Sequence, residues 1–420
     1  MTFAMLVNDP FAGTLALLAL VWVAAKLGGE VAVRLGLPSV AGELSAGLLL
    51  AGLHQGMPGF PDVAGSPGAE VLANLGVILL MFAVGLESTV PQMLQVGVAS
   101  LRVASLGVVL PMAAGLLGAK VLLPAGSPLV VDVFIGACLC ATSIGISAQV
   151  LRERGAAQSA EGRVIVGAAV IDDVLGLMVL VAVSGLVAAA DGGGALPWGR
   201  LGRTLGLATG FLGVALTLGR LATPHLFRLA SRLRGEQVLL PLGLAFAFFL
   251  AWLSGVAGLA PIVGAYAAGL ILEPAHVELL EEREAHTLMA LLQPLVMVMA
   301  PIFFVLMGAR VDVRALVAPS TLLLAGVLGA LGVAGKFAAG FGGGRGLRAS
   351  VVGWGMVPRG EVGLIFVAVG AQSRFQGGPL LSPEVQAGIV GAILLTTVAG
   401  PLGLGRVLRR VVPGGSPDTP

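Results

Sequence analysis

The chain has 420 residues, 57% of them hydrophobic and 11% charged, a formal net charge of +2 and a mean hydropathy of +1.00. Soluble domains carry roughly 25% charged residues, so this composition excludes a soluble globular protein, and a near-neutral chain whose basic residues sit scattered at segment ends gives no basis for a nucleic-acid partner. Apolar runs of roughly 17 to 28 residues recur along the length, each able to cross a ~30 Å hydrocarbon core as helix and none alternating like a barrel strand, so the expected class is an all-α polytopic membrane protein.

In chain order, the opening MTFAMLVNDPF has no basic n-region or cleavage site, and the first apolar run is read as a mature helix. Pro, Gly and charge punctuation place about 13 spans, near 11–27, 38–53, 70–86, 97–123, 130–151, 162–189, 200–222, 237–256, 258–272, 288–307, 320–341, 347–372 and 384–411. An odd number sets the termini on opposite sides. With the N-terminus outside, basic residues divide about 16 to 6 in favour of the inner regions, which selects N-out and C-in. The 64 glycines let membrane helices approach closely. Cys138 and Cys140, two apart on a regular helix, point away from each other and are expected as unbonded buried thiols.

Span two, introduced by Pro38, contains GELSAGL at Gly42 to Leu48; span nine, introduced by Pro261, contains GAYAAGL at Gly264 to Leu270. An offset of seven spans is odd, so the second copy crosses in the opposite sense and the chain reads as an inverted-topology repeat with span seven as connector. The same offset pairs span five, with Ala141 to Ser147, and span twelve, with Gly353 to Glu361. Each is interrupted by Gly, Pro or hydroxyl residues. Unwound backbone is tolerated at membrane depth only where it faces protein or a water-filled cavity, so paired interruptions point to a transporter's binding site.

Span six carries Asp172 and Asp173, and span eleven carries Lys336, the one lysine more than a turn inside a span. A carboxylate near a bilayer centre costs a few kcal/mol even on the mildest scale, so two in a row are a functional-site hypothesis. Spans four to six and eleven to thirteen would form one core in which Lys336 meets the pair. Adjacent helical residues project about 100° apart, so the two carboxylates have different partners. One can pair with Lys336, offsetting part of the cost of two buried charges; the other is left for a cation or a proton. A hard cation such as Na+ prefers oxygen ligands, which hydroxyls and unwound carbonyls near Thr142 and Ser143 can supplement. If only the two occupied forms let the core move, exchange follows.

Arg359 and Glu361 are expected to neutralise each other or to cap broken helix ends, and Glu43 and Glu87 to be interfacial. Glu278, Glu281, Glu282 and Glu284 form an acidic inner run which, with His276 and His286 beside it, is a possible pH sensor. The four histidines have no structural-zinc spacing, and there is no dinucleotide or Walker signature. No cofactor is expected, and the drive must be an ion gradient or a separate subunit.

AAVIDDVLGL at Ala168 to Leu177, ATSIGI at Ala141 to Ile146, LAPIVGA at Leu259 to Ala265, APIFFVLMG at Ala300 to Gly308, Gly335-Lys336, and MVPRGEVGLI at Met356 to Ile365 together resemble bacterial sodium/proton antiporters of the monovalent cation:proton antiporter-2 family, NapA-type members above all. The resemblance runs from Pro38 to the last span. It implies the sodium/proton antiporter fold of thirteen helices with inverted repeats and two crossed broken helices, elevator-like alternating access, and a homodimer held by the non-core helices. It divides the chain into panel helices 1–3 (1–96), core helices 4–6 (97–189), connecting helix 7 (190–235), panel helices 8–10 (236–310), core helices 11–13 (311–411) and a cytoplasmic tail (412–420). It implies Asp173 as carrier of Na+ and proton, Asp172 as partner of Lys336, and Thr142, Ser143, Pro358, Arg359 and Glu361 at the crossing. Two acidic residues in a row resemble the electrogenic branch, with two protons per sodium. Relatives gated by glutathione carry a nucleotide-binding domain, for which this sequence has no counterpart.

The expected function is therefore secondary-active Na+/H+ antiport, with Na+ or Li+ as substrate, in the inner (plasma) membrane. A K+/H+ exchanger is the alternative within transport, and a sodium-coupled organic-anion symporter is disfavoured by the buried Asp-Asp-Lys set. An enzyme reading, the intramembrane aspartyl protease, fails because its two carboxylates must share a proton across a scissile bond, usually from different helices. Here they are neighbours, and no GxGD stretch occurs.

Overall fold

A computed structural model describes residues 10–57, 59–87, 97–124, 126–190, 237–257, 259–272 and 286–411, with single positions and short stretches between 206 and 229. The described chain is almost wholly helical: α1 (Pro10–Arg34), α2 (Ser39–Gly56), α3 (Pro67–Glu87), α4 (Val98–Leu122), α5 (Leu129–Cys138), α6 (Ile144–Glu153), α7 (Ala160–Ala190), α8 (Leu239–Val256), α9 (Pro261–Ile271), α10 (Leu288–Ala309), α11 (Val313–Leu316), α12 (Pro319–Ala339), α13 (Ala349–Met356), α14 (Glu361–Gln372) and α15 (Pro383–Val411). A 3-10 turn, Gly340–Gly343, follows α12, and Arg374–Phe375 pairs with Gly378–Pro379 in a small antiparallel hairpin.

Eight described helices, α1, α3, α4, α7, α8, α10, α12 and α15, are long and apolar enough to cross a membrane. Spans five and twelve are each two helices, α5 with α6 and α13 with α14. The expected span seven lies mostly outside the described residues, and those described there are helical. Two differences from the sequence reading are local. The first helix runs to Arg34 rather than ending near Leu27, and within its added turns Glu30 and Arg34, one turn apart, pair at 2.7 Å and give the extension modest local support. The short α11 forms because Asp312 caps it, its carboxylate accepting from the amides of Arg314 at 2.9 Å and Ala315 at 3.3 Å.

The helices fall into two packed groups. In one, α2 lies on α1 and α10, α3 on α9 and α10, and α8 on α9. In the other, α4 packs on α5, α7 and α12, while α15 packs on α12 and α13. The groups meet chiefly where α10 touches α14 and where α2 touches α11 and α15. The repeat is visible as duplicated packing. A Cβ at Gly47 would overlap the carbonyl oxygen of Val305 on α10, and one at Gly269 would overlap that of Phe82 on α3. The partners answer in kind: Gly308 of α10 sits on the Leu44 carbonyl, and Gly85 of α3 on the Tyr266 carbonyl. Gly47 and Gly269 are the same letter of the two seven-residue copies, so backbone meets backbone at matching points in each half.

Candidate functional site

Two breaks face each other in the second group, Leu139 to Ser143 between α5 and α6 and Val357 to Gly360 between α13 and α14. Pro358 has no amide to continue a helix. Ending a helix leaves its last carbonyls unpartnered, and here each break supplies the other with donors. The Ser143 amide donates to the Pro358 carbonyl at 2.9 Å, Thr142 Oγ1 to the Met356 carbonyl at 3.2 Å and Ser147 Oγ to the Gly355 carbonyl at 2.5 Å. In the other direction Arg359 Nη1 donates to the Cys138 carbonyl at 3.3 Å, which sets a guanidinium at the negative end of α5.

Each break is also pinned by the last long helix of its half. On α7, Asp172 Oδ2 accepts from the Thr142 amide at 2.8 Å; on α15, Thr397 Oγ1 donates to the Arg359 carbonyl. Asp172 is also the anion for Lys336, whose Nζ lies 3.0 Å from Oδ1 and 3.1 Å from Oδ2. The lysine is wholly buried and Asp172 is 1% exposed, so neither charge is offset by water and the three hydrogen bonds on Asp172 must do it. Gly335 sets the lysine in place. Its Cα lies so near Pro111 of α4 that an added Cβ would stand 2.7 Å from the proline's Cα and N. Gly107, one turn before Pro111, faces the pair, and a Cβ there would be 3.6 Å from Lys336 Nζ and 3.7 Å from Asp172 Oδ1.

Asp173 is the next residue of α7 and is buried. Thr142 and Ser143, also buried, stand in the first break, and Pro358 and Arg359 in the second. Arg359 is the largest fully buried side chain among the described residues. Its Nε and Nη2 have no hydrogen-bond partner among the described residues, and a Cβ at Gly332 would lie 3.0 Å from Nη2. Glu361 opens α14, but its side chain lies outside what is described. The pairing expected between Arg359 and Glu361 therefore has no described counterpart, and the guanidinium caps α5. Cys138 ends α5, Cys140 lies in the break, and both are free thiols.

Other candidates lie elsewhere. Glu43 is half-buried on α2 and lines a pocket with Lys26, Glu30 and Ser39, and Glu87 is exposed at the end of α3. The acidic run Glu278, Glu281, Glu282 and Glu284 with His276 falls outside the described residues; His286 is described and exposed. His54 Nδ1 is 2.9 Å from the Phe60 carbonyl oxygen and His225 Nδ1 is 3.0 Å from that of Leu221. The sequence reading did not single out Ser147, Gly107 or Thr397. Thr396-Thr397, two hydroxyls in the apolar middle of span thirteen, was the available signal, since by the seven-span offset span thirteen corresponds to span six, which carries the aspartates.

The site thus offers a carboxylate pair at the meeting of two chain breaks, with one carboxylate held by a lysine and a backbone amide. Such an arrangement can bind a small cation or a proton in a dehydrated setting, and it links the charge of one group to the position of a helix start. A family model described as sodium/hydrogen exchanger, transmembrane, matches residues 15–410. The chain is 36% identical to the high-affinity Na(+)/H(+) antiporter NhaS3 of Synechocystis, over 97% of this chain and 93% of that protein. It is 30% identical to a Na(+)/H(+) antiporter of Enterococcus hirae, over 94% and 98%, and 30% identical to the Na(+)/H(+)-K(+) antiporter GerN of Bacillus cereus, over 91% and 93%. Its fold is similar to that of the sodium proton antiporter MjNhaP1 of Methanocaldococcus jannaschii, with a TM-score of 0.70 at 18% identity, covering 96% of this chain and 97% of that one.

Proposed function

Because the chain belongs to the sodium/hydrogen exchanger family, it is a multi-pass membrane Na+/H+ antiporter, and we propose that Asp173 carries the two ions by turns. The observation behind this assignment is the buried Lys336–Asp172 pair at the crossing of two broken helices, one residue away from Asp173. Asp172 anchors the lysine and the start of the broken helix. Asp173 takes either a proton or a dehydrated Na+, with oxygens of the crossing completing the cation's shell. Since one carboxylate cannot hold both, loading one ion expels the other, and a core that moves only when loaded exchanges them.

Several finer assignments belong to the same proposal. The core group, α4 to α7 and α12 to α15, moves against the panel of α1 to α3 and α8 to α10 as an elevator. Two chains associate through the panel helices. The Asp-Asp-Lys set supports assignment to the antiporter-2 branch, and two adjacent acidic residues support electrogenic exchange. The protein sits in the inner (plasma) membrane with its N-terminus outside, on the bias of the basic residues. The cycle needs no cofactor and breaks no covalent bond, so the protein is a transporter and not an enzyme. K+/H+ exchange is a second reading, favoured by the similarity to a protein named for Na+, H+ and K+ together.

The test is a proteoliposome with an imposed pH gradient, to which Na+, Li+ or K+ is added separately while the internal pH is followed. Na+ is expected to dissipate the gradient, and Asp173→Asn to lower the initial rate at least tenfold while eluting as the same folded species in gel filtration. Persistent exchange in that variant would remove Asp173 as carrier. A response to K+ equal to that to Na+ would favour the second reading.

A further inference from the structure

A groove of about 1150 Å³ separates α1 and α2 of the first helix group from α12 and α15 of the second. Its wall is almost entirely apolar, and several of its large side chains, among them Leu49, Leu395 and Leu402, stand exposed. Chain direction orders it. Leu35, just after α1, and Arg406, near the end of α15, mark one end; Leu53, near the end of α2, and Leu322, near the start of α12, mark the other. The α2 wall from Ala41 to Leu53 covers roughly 18 Å of helix, slightly more than one leaflet's share of a ~30 Å hydrocarbon core. Among the described residues, Arg406 is the one charged side chain lining the groove. It is exposed and makes no hydrogen bond or ion pair among the described residues, with exposed Arg409 one turn on.

We propose that this groove is a binding site for an anionic phospholipid, with an acyl chain along α2 and α15 and the headgroup phosphate on Arg406. The wall is leucine, alanine, valine and glycine apart from Ser45, whose hydroxyl donates to the Ala41 carbonyl at 2.7 Å, Trp354 and Arg406, and lipid tails are as apolar as leucine. An unpaired guanidinium at the mouth recognises a phosphate monoanion by charge-assisted hydrogen bonds. A zwitterionic headgroup brings its own cation to the same place, so the site prefers a headgroup without one. Seated there, the lipid lies between the two helix groups, beside the contacts of α2 with α11 and α15.

The full chain with a photoactivatable leucine analogue in place of Leu395, in proteoliposomes of equimolar phosphatidylglycerol and phosphatidylcholine, tests this by mass spectrometry of the cross-linked protein. Phospholipid adducts are expected, with phosphatidylglycerol favoured at least threefold. Arg406→Ala is expected to bring that ratio close to one, and Arg406→Lys, which keeps the charge, to retain most of it. Equal capture of the two lipids by the parent protein, a preference unchanged in Arg406→Ala, or capture of a second protein chain in place of lipid would each overturn the proposal.

Discussion

Lys336 has no water to fall back on, so its charge depends on Asp172, and the dependence is mutual. Truncating one member of such a pair strands the other, at a cost of about 3–5 kcal/mol. Lys336→Ala is therefore expected to lower thermal stability in detergent steeply, and adding Asp172→Asn is expected to restore part of it, with a coupling of about 1–3 kcal/mol in the cycle. Penalties that simply add would mean that the contact carries no coupling. From the sequence, the carboxylates and the lysine were legible as candidates because charge is so expensive inside an apolar span. The second hold on Asp172, the Thr142 amide, was not, since a backbone donor has no letter of its own. Arg359 illustrates the same limit: its identity stood out, yet its acceptor is the carbonyl of Cys138, set by where α5 ends.

At the scale of helices, glycine has opposite meanings at different positions. Gly47 of α2 abuts the backbone of α10, whereas Gly326 of α12 has nothing within 4 Å of where a Cβ would stand. Gly47→Ala is expected to destabilise by about 1–3 kcal/mol, the usual cost of overpacking. Gly326→Ala is expected to be neutral or to gain up to about 1 kcal/mol through helix propensity. Paired thermal melts check both, and similar losses in the two would contradict the packing. The broken spans were legible because Pro358 and the hydroxyls of Thr142 and Ser143 interrupt otherwise apolar runs. The helix α11 and the hairpin at Arg374–Phe375 were not, because two to four residues carry no period to read.

For the molecule as a whole, the inverted repeat was legible from two seven-residue stretches that share four letters and from the paired interruptions of spans five and twelve, and the shared stretches prove to be where the two halves make the same backbone contacts. The split into two helix groups was legible only through the charges and interruptions that mark spans four to six and eleven to thirteen, because an apolar face toward lipid and one toward protein have the same composition. Orientation rests on charge alone and is directly testable. With the N-terminus outside, Ser382→Cys on the connection before α15 is expected to react with an impermeant maleimide in intact cells, and Arg345→Cys only after permeabilisation. The native thiols are buried and leave the background low, and the reverse pattern would invert the assignment. The glycine contacts of the first group bear on one more property. Warming loosens a protein interior largely by letting side chains sample other rotamers, and a crossing of carbonyl oxygen on α-carbon has none to sample. Where α2 meets α10 and α3 meets α9, thermal expansion has little to act on, so on heating the spacing of those crossings should stay fixed while the seam with the other helix group takes up the change.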